Sequence, residues 1–414
     1  LSDAACVLDW LQQYNTNSKT CWVAGFSFGA WVAMQLLMRR PEINGFISIS
    51  PPANMRDFSF LAPCPSSGLI VHGDKDTIAS YDSTKILAEK LQKQKKVDIK
   101  FKPIKGGDIS NGYKINPYTK KPYTKQIVPR GDYTRVIAEF WADGPDSETP
   151  PGHWFTILNY VSYHQLFERR FEGINEIVDP LEWDVKAYFL LGGAMHDAAI
   201  AAWGLKGYYD YIRPISAIRY MSSKGQSSNP ELPSYNSHGI KLVENFIEVV
   251  KKGDKLEGTN GENIGKIKVY SWRGHEYIKD PKRDYAGVGW ILAENWFPYQ
   301  RPTFVTPNFS GYVSGHSTYS RAAAEVLTLL TGNAFFPGGM GEFIAKKNKF
   351  LVFEKGPTRD IKIQWATYRD ASNQCSLSRI WGGIHPPVDD LPGRVIGEKI
   401  GINAYNYGKK YFIK

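Results

Sequence analysis

The sequence predicts a mostly α-helical protein, a helical bundle carrying a small N-terminal α/β fragment with a parallel sheet. Three observations predict it. From Tyr133 onward, apolar residues recur at helical spacing through a series of long stretches. Up to about Gly107, short strand-like runs alternate with helical ones, the order that builds a parallel sheet. Between them, residues 111–130 are rich in Tyr, Pro and Lys and read as an irregular linker. The expected domains are residues 1–107 and 108–414.

Composition narrows the class. At 414 residues the chain has length for two domains, and 42% hydrophobic with 22% charged residues is ordinary for a soluble globular protein. The net charge of +10 raises nucleic acid as a partner, but the lysines are scattered over 90–105, 251–268 and the C-terminus, as on a solvated surface. No nucleic-acid partner is expected. Four cysteines, Cys6, Cys21, Cys64 and Cys375, show no paired spacing and read as free thiols. No uncharged apolar run reaches the roughly 18 residues of a membrane span. The best candidate, residues 185–204, contains Lys186, His196 and Asp197. The chain opens at Leu1 inside an apparent helix, without Met or signal peptide. It reads as a fragment, so compartment stays open between cytoplasmic and exported. The sequence does not speak to oligomeric state.

In the first segment, residues 2–14 read as helix and 20–24 as strand, and a helix follows Gly25-Phe26-Ser27-Phe28-Gly29 as far as Met38. Strands are expected at 45–50, 68–72 and 97–103, with a helix at 83–94. Strand, Gly-x-Ser-x-Gly and helix in that order resemble the nucleophile elbow of the α/β-hydrolase fold, and His72-Gly73-Asp74-Lys75-Asp76 is similar to that family's acid loop. The resemblance makes Ser27 and Asp76 the candidate nucleophile and acid of a serine esterase. It then breaks. Ile109 stands where the family's histidine is expected, and no histidine occurs between His72 and His153. The strands carrying the usual oxyanion-hole loop would lie upstream of Leu1. A serine without a base is a weak nucleophile, so Ser27 and Asp76 read as vestigial.

The longer segment is expected to be helical at 134–141, 154–171, 183–204, 214–221, 237–252, 285–296, 318–332, 363–381 and 388–407, with a short strand near 266–272. Residues 229–237 and 335–341 read as loops. Residues 258–266 are glycine-rich but miss the phosphate-loop spacing, because Asn260 stands where a glycine is required.

The chemistry concentrates in Ser378-Arg379-Ile380-Trp381-Gly382-Gly383-Ile384-His385-Pro386-Pro387-Val388-Asp389, which holds a cation, a histidine six residues on and a carboxylate four further. Pro386 disfavours helix at His385 and suits a helix starting just after it. Asp389 then lies about one turn inside that helix and can take one ring N–H, leaving the other ring nitrogen a lone pair facing outward. Gly382 and Gly383 let the backbone turn so that Arg379 can reach the same spot. Ser314-Gly315-His316 precedes an apolar helical run and places further backbone N–H groups at a helix start. Lys206 and Arg213 are seven residues apart, about two turns and so on one helix face, which Pro214 then ends. Three such cations within about 5 Å would repel by about 3 kcal/mol per pair at an effective dielectric near 20, so the cluster calls for an anion. Taken singly, Lys206 and Arg213 read as surface or salt-bridge residues, His316 and Ser314 as helix caps, and Asp389 as a cap of the last helix. Together and in this order they point to an oxyanion site.

Lys-x6-Arg-Pro, Ser-Gly-His and Ser-Arg-x5-His-x3-Asp resemble the signature of the phosphatidic acid phosphatase type 2 superfamily, which includes acid phosphatases, lipid phosphatases and vanadium-dependent haloperoxidases. The resemblance covers about residues 110–414. The wider text, Glu139-Phe140-Trp141-Ala142-Asp143-Gly144-Pro145 and Met195-His196-Asp197-Ala198, looks most like the bacterial haloperoxidase-like branch. Val313 stands where many members have proline.

The resemblance implies a bundle of the haloperoxidase/acid phosphatase type that holds vanadate, or phosphate in its place, through Lys206, Arg213, Ser314, Gly315, Arg379 and His385. His385 would bond the central atom in line, with His316 opposite as acid/base. As a haloperoxidase it would take hydrogen peroxide and a halide, with Lys206 polarising the peroxide. As a phosphatase it would take a phosphomonoester through a phosphohistidine. A third reading is an inactive product of a truncated fusion, since the upstream helices of a full haloperoxidase are missing. Which halide is used is not readable from spacing. The remaining candidates have plainer readings. His153, His164, His238 and His275 read as surface or structural, and His196 as a supporting or packing residue. Trp203, Tyr209 and Trp381 have two readings, pocket wall and aromatic core, of which core is the commoner, and Cys375 reads as buried.

Overall fold

A computed structural model of the chain describes all residues except 75, 77, 105–112, 145–146 and 413–414. Its contacts divide it into two units, Leu1–Asn111 and Gly112–Lys414.

The first unit runs α1 (Ser2–Tyr14), β1 (Trp22–Phe26), α2 (Phe28–Leu37), β2 (Gly45–Ile49), β3 (Gly68–Gly73), α3 (Tyr81–Gln92) and β4 (Ile99–Ile104). The strands form one parallel sheet in sequence order, as expected from strand–helix alternation. Met34, Leu37, Phe46, Leu61, Ile70, Ala88 and Leu91 fill its core. β1 is an edge strand and leaves Trp22 and Phe26 more than half exposed.

The second unit continues with α4 (Arg130–Phe140), α5 (Pro150–Ser162), α6 (Pro180–Tyr209), α7 (Pro214–Ser223), β5 (Ile247–Val249), β6 (Ile267–Trp272) and β7 (Val288–Leu292). It ends with α8 (Gly315–Thr331), β8 (Gly341–Ala345), β9 (Ile361–Trp365), α9 (Tyr368–Trp381) and α10 (Pro387–Gly408). Local chemistry sets the helix starts. Asp179 accepts from the N–H groups of Leu181 and Glu182 ahead of Pro180, Ser314 caps α8, and Thr367 with Asp370 makes a reciprocal capping box for α9. Buried Trp141, Trp154 and Trp183 belong to the core around α8. Every residue of α8 from Gly315 to Leu327 is buried except His316. A helix surrounded on all faces is a central helix, and α6, α9 and α10 pack around it.

Gly393, Gly397 and Gly401, each four residues apart, line the face of α10 that meets α8. A Cβ on Gly397 would lie 2.3 Å from the Thr318 carbonyl oxygen, and one on Gly401 2.4 Å from that of Ala322. Only glycine permits this approach, which brings the start of α10 against the start of α8, where Ser314 N–H donates to the Asp389 carbonyl at 2.9 Å.

Several expectations are corrected. Residues 237–252 and 285–296 are not helices. They supply β5 and β7, which flank β6 in an antiparallel sheet. Asn245 at φ 64° and Gly287 at φ 67° break helical geometry there, and cross-strand pairing decides what short apolar runs leave ambiguous. The helix expected at 363–381 begins only after Thr367, since Ile361–Trp365 pairs with β8. The helix expected at 154–171 ends at Ser162. The cysteines are free, and Cys375 is buried. Among the described residues no helix is long and apolar enough to cross a membrane.

Candidate oxyanion site

Five segments of the second unit supply the site: the end of α6 (Lys206), the start of α7 (Arg213), the loop 309–311, the start of α8 (Ser314, Gly315, His316), and the end of α9 with the turn into α10 (Arg379, His385, Asp389). Lys206 and Arg213 do not share a helix face. Asp210, left-handed at φ 41°, ends α6, and Arg213 is the cap residue of α7 with Pro214 in its first turn. Proline starts a helix here, because its missing N–H would have had no intrahelical partner. The two side chains converge nonetheless on the loop 309–311. Lys206 Nζ donates to the Ser310 and Gly311 carbonyls at 2.9 and 2.8 Å, and Arg213 Nε to the Phe309 carbonyl at 2.9 Å. The Phe309 ring lies between them, 5.2 Å from Lys206 Nζ and 5.3 Å from Arg213 Cζ.

His385 sits where Pro386 holds the chain extended before α10. Its Nδ1 lies 2.7 Å from Asp389 Oδ2, the one-turn geometry expected from the spacing, and its Nε2 lies 3.1 Å from Arg213 Nη1. Arg213 Nη1 also donates to the Ile384 carbonyl at 2.9 Å. Of the two glycines expected to turn the chain, only Gly383, at φ 81°, needs to be glycine for its backbone; Gly382 is ordinary helix at φ −73°. Arg379, buried at the end of α9, donates Nη2 to the Ala138 carbonyl at 2.9 Å and Nε to Ser378 Oγ at 3.0 Å.

Lys206, Arg213 and Arg379 are 2%, 6% and 1% exposed, and among the described residues none has a carboxylate within ion-pair distance. Burial, then the nearby Arg213, pushes Lys206 down to about 7 despite Asp389. Burial lowers Arg213 to about 10 and depresses Arg379. His385 is held well below the usual imidazole range by burial and by Arg213, Lys206, His316 and Arg379. Burial raises Asp389 to about 6 against the pull of Lys206 and Arg213. Among the side chains of these site residues, two buried polar atoms lack a partner, the donor Arg213 Nη2 and the acceptor Asp389 Oδ1. Among the described residues the Gly315 N–H at the mouth of α8 also has no acceptor. Ser314 Oγ accepts from Ser317 N–H at 3.3 Å and lies 3.0 Å from the Ser317 hydroxyl. Arg213 Nη2 and the Gly315 N–H are the donors left open to an oxyanion.

His316 belongs to a second group that spacing did not reveal. Its Nε2 lies 3.2 Å from Asp143 Oδ2, and Asp143 Oδ1 lies 2.8 Å from His153 Nδ1. Burial would raise the Asp143 carboxyl, but the bonds to His153 and His316 win and hold it far below the usual carboxylate range. Burial and Arg379 lower His316, opposed by Asp143. His153, expected to be surface or structural, is thus the far end of a His–Asp–His chain. The signal was Asp143 itself, within the stretch that carried the bacterial resemblance. His196 is exposed, its ring near only Asp197, which corrects the packing role expected for it. Trp203, Tyr209 and Trp381 are partly exposed and not core, and Trp203 stands 5.8 Å from Lys206 Nζ.

In the first unit Ser27 caps α2 at φ 51°, ψ −120°, a strained conformation for a residue with a Cβ. Asp76 Oδ1 accepts from the Ile78 and Ala79 N–H groups at 2.9 Å, which together with Ser50 and His72 overcome burial and lower its pKa. His72 is fully buried, with Nε2 2.9 Å from the Ala79 carbonyl. Ile109 lies outside the described residues.

The fold is a helical bundle with a small four-stranded parallel sheet ahead of it, and its family follows from comparison. Residues 186–414, more than half of the chain, match the family model described as the VCPO second helical-bundle domain, and the chain belongs to that family. A bacterial vanadium-dependent chloroperoxidase, in its holo form, is 18% identical over 68% of this chain and 44% of its own, with a TM-score of 0.44. The N-terminal region resembles α/β hydrolases. A protein of unknown function from Agrobacterium tumefaciens, described as an α/β hydrolase, is 58% identical over 26% of this chain and 49% of its own, with a TM-score of 0.25. An uncharacterised protein of Rickettsia prowazekii (strain Madrid E) is 53% identical over 116 residues, 27% of this chain. The chain spans about half the length of that curated relative (49%).

Proposed function

We propose that the second unit is a vanadate-dependent haloperoxidase that oxidises halide with hydrogen peroxide. The observation that carries this reading is the set of three buried cations without a carboxylate partner, one of them bonded to His385 and all of them lowering its pKa. Vanadate fits the donors: Arg213 Nη2 is buried without a partner, and the Gly315 N–H has no acceptor. Lys206, Arg213, Arg379, Ser314 and the Gly315 N–H would hold its oxygens, and His385 would bind through Nε2 in place of the hydrogen bond that this atom accepts from Arg213 Nη1. Bound vanadate supplies the Lewis-acidic centre at which peroxide is activated toward halide.

The protein's own groups do the rest. Asp389 holds the His385 Nδ1 proton, which keeps Nε2 a lone pair. Lys206, poised near neutral pH, supplies a positive charge beside the oxygens, and an anionic guest draws it toward its charged form. Asp143 fixes the orientation of His316, whose other ring nitrogen serves as the acid/base.

The test uses protein stripped of anions. Bromide oxidation by hydrogen peroxide and p-nitrophenyl phosphate hydrolysis are each assayed with and without orthovanadate. Vanadate should switch on the first. If instead it inhibits an existing phosphatase activity, the site works on phosphomonoesters through a phosphohistidine. Silence in both assays would mark an inert fusion. Ser27→Ala should leave bromide oxidation unchanged; loss of an esterase activity in that variant would place chemistry in the first unit.

A further inference from the structure

A largely apolar cavity of about 720 Å³ lies in the second unit beside Asp143, lined by His153 and by Gly144. Phe140, Phe343, Phe353 and Trp365 supply much of its wall. Three carboxylates line it. Glu139 accepts from the Tyr299 hydroxyl and the Val352 and Phe353 N–H groups, with burial pushing its pKa up to about 7, Glu342 holds Lys362 and Gln364, and Glu148 accepts from the Thr156 hydroxyl at 3.1 Å. Arg301 differs. Among the described residues its guanidinium has no hydrogen bond and no carboxylate partner, and it stands 6.0 Å from the Phe353 ring centroid. Gly144 makes room for it, since a Cβ there would lie 1.8 Å from Arg301 Nη2.

We propose that this cavity binds an amphipathic organic anion, its aromatic or aliphatic body against the rings and its carboxylate- or sulfonate-like group on Arg301. The volume suits a molecule of drug size, since such sites run from about 300 to 1,000 Å³ and combine an apolar wall with a few fixed polar groups. A guanidinium matches a planar or tetrahedral oxyanion through paired N–H donors. The apolar wall keeps water from competing for those donors, so one unpaired cation selects the charge of the guest. The inference stands whether or not vanadate occupies the Lys206–Arg213 site.

The full chain is titrated with 1-anilinonaphthalene-8-sulfonate and with the neutral dye N-phenyl-1-naphthylamine. Inorganic phosphate is kept in excess to occupy the other cations. One saturable site per chain is expected for the sulfonate, with the neutral dye weaker by about tenfold or more. Arg301→Gln should erase that preference while the neutral dye binds as before, and Arg301→Lys should keep part of it. Equal affinity of the two dyes for the unaltered protein, which needs no variant to fold, would overturn the proposal. So would sulfonate binding unchanged in Arg301→Gln, or no saturable site.

Discussion

Arg213 donates from Nη1 to His385 Nε2 at 3.1 Å, while Asp389 stands 2.7 Å from Nδ1 on the other side of the same ring. Because a guanidinium only donates, Nε2 must be the acceptor and the ring proton must sit on Nδ1. The pair therefore fixes one neutral tautomer. Depression of the His385 pKa well below its ordinary value by burial and by Arg213 agrees with it.

Anion affinity should fall sharply without Arg213. Charge-assisted hydrogen bonds contribute about 1.5 to 3 kcal/mol, so Arg213→Ala should weaken orthovanadate or phosphate about 10- to 100-fold by titration calorimetry. In anion-free protein the melting temperature should change little, since removal of a buried cation without a carboxylate partner offsets the loss of its bonds to the Phe309 and Ile384 carbonyls and to His385. A marked destabilisation with unchanged anion affinity would make Arg213 a structural residue.

Lys206 gives a pH dependence with a definite sign. Its folded pKa, near 7, lies below the ordinary 10.5, so between these values the unfolded chain binds the extra proton. Stability of the anion-free protein should therefore rise with pH across that window. Asp389 acts oppositely: its folded pKa near 6 lies above 3.8, so its contribution falls as pH rises from about 4 to 6. Tungstate, whose charge is constant above neutrality, should bind more weakly as pH climbs past 7. Lys206→Met should flatten both the alkaline stability slope and the tungstate profile. Unaltered slopes in that variant would refute the assignment.

Asp143→Asn should act through His316. Loss of the carboxylate removes the influence that raises the His316 pKa and leaves burial and Arg379 to lower it further. The acid limb of the pH–rate profile should move to lower pH and kcat should fall about 10- to 100-fold, within the range of acid/base effects. A fall in rate with an unmoved pH profile would indicate damage to packing and not to proton transfer.

Gly401→Leu should destabilise the second unit by roughly 3 kcal/mol or more, because added side-chain volume meets the α8 backbone and no rotamer avoids it. Thermal or denaturant unfolding measures this. Since the α8–α10 contact also sets Ser314 against Asp389, anion affinity should fall in whatever fraction still folds. A variant with unchanged melting temperature would contradict the close packing.

Much of the site was legible because its residues sit at helix ends, where sequence carries local signals. Pro386 before α10 announced the position of His385, and four-residue spacing announced the partnership with Asp389. Ser314 before an apolar run announced the start of α8. At Pro214 the signal was read in part correctly: a helix from 214 was expected and α7 begins there, but Arg213 was placed on the preceding helix with Lys206 and is instead the cap of α7. The strands β5 and β7 were missed because their apolar residues suit either period over so few positions, and only pairing with β6 selects between them.

The sequence by itself determined the order of the parts: a parallel α/β segment, then a bundle, with cations, serine and two histidines placed at element ends by proline, glycine and capping side chains. Only the tertiary structure decided who meets whom. It turned Arg213 toward His385 from a separate helix, and it carried Asp143 and His153 to His316 from 173 and 163 residues upstream. The physical reason is that caps and periodicity act over a few residues. Convergence depends on the closeness of helix backbones, which here rests on the glycine face of α10 against α8.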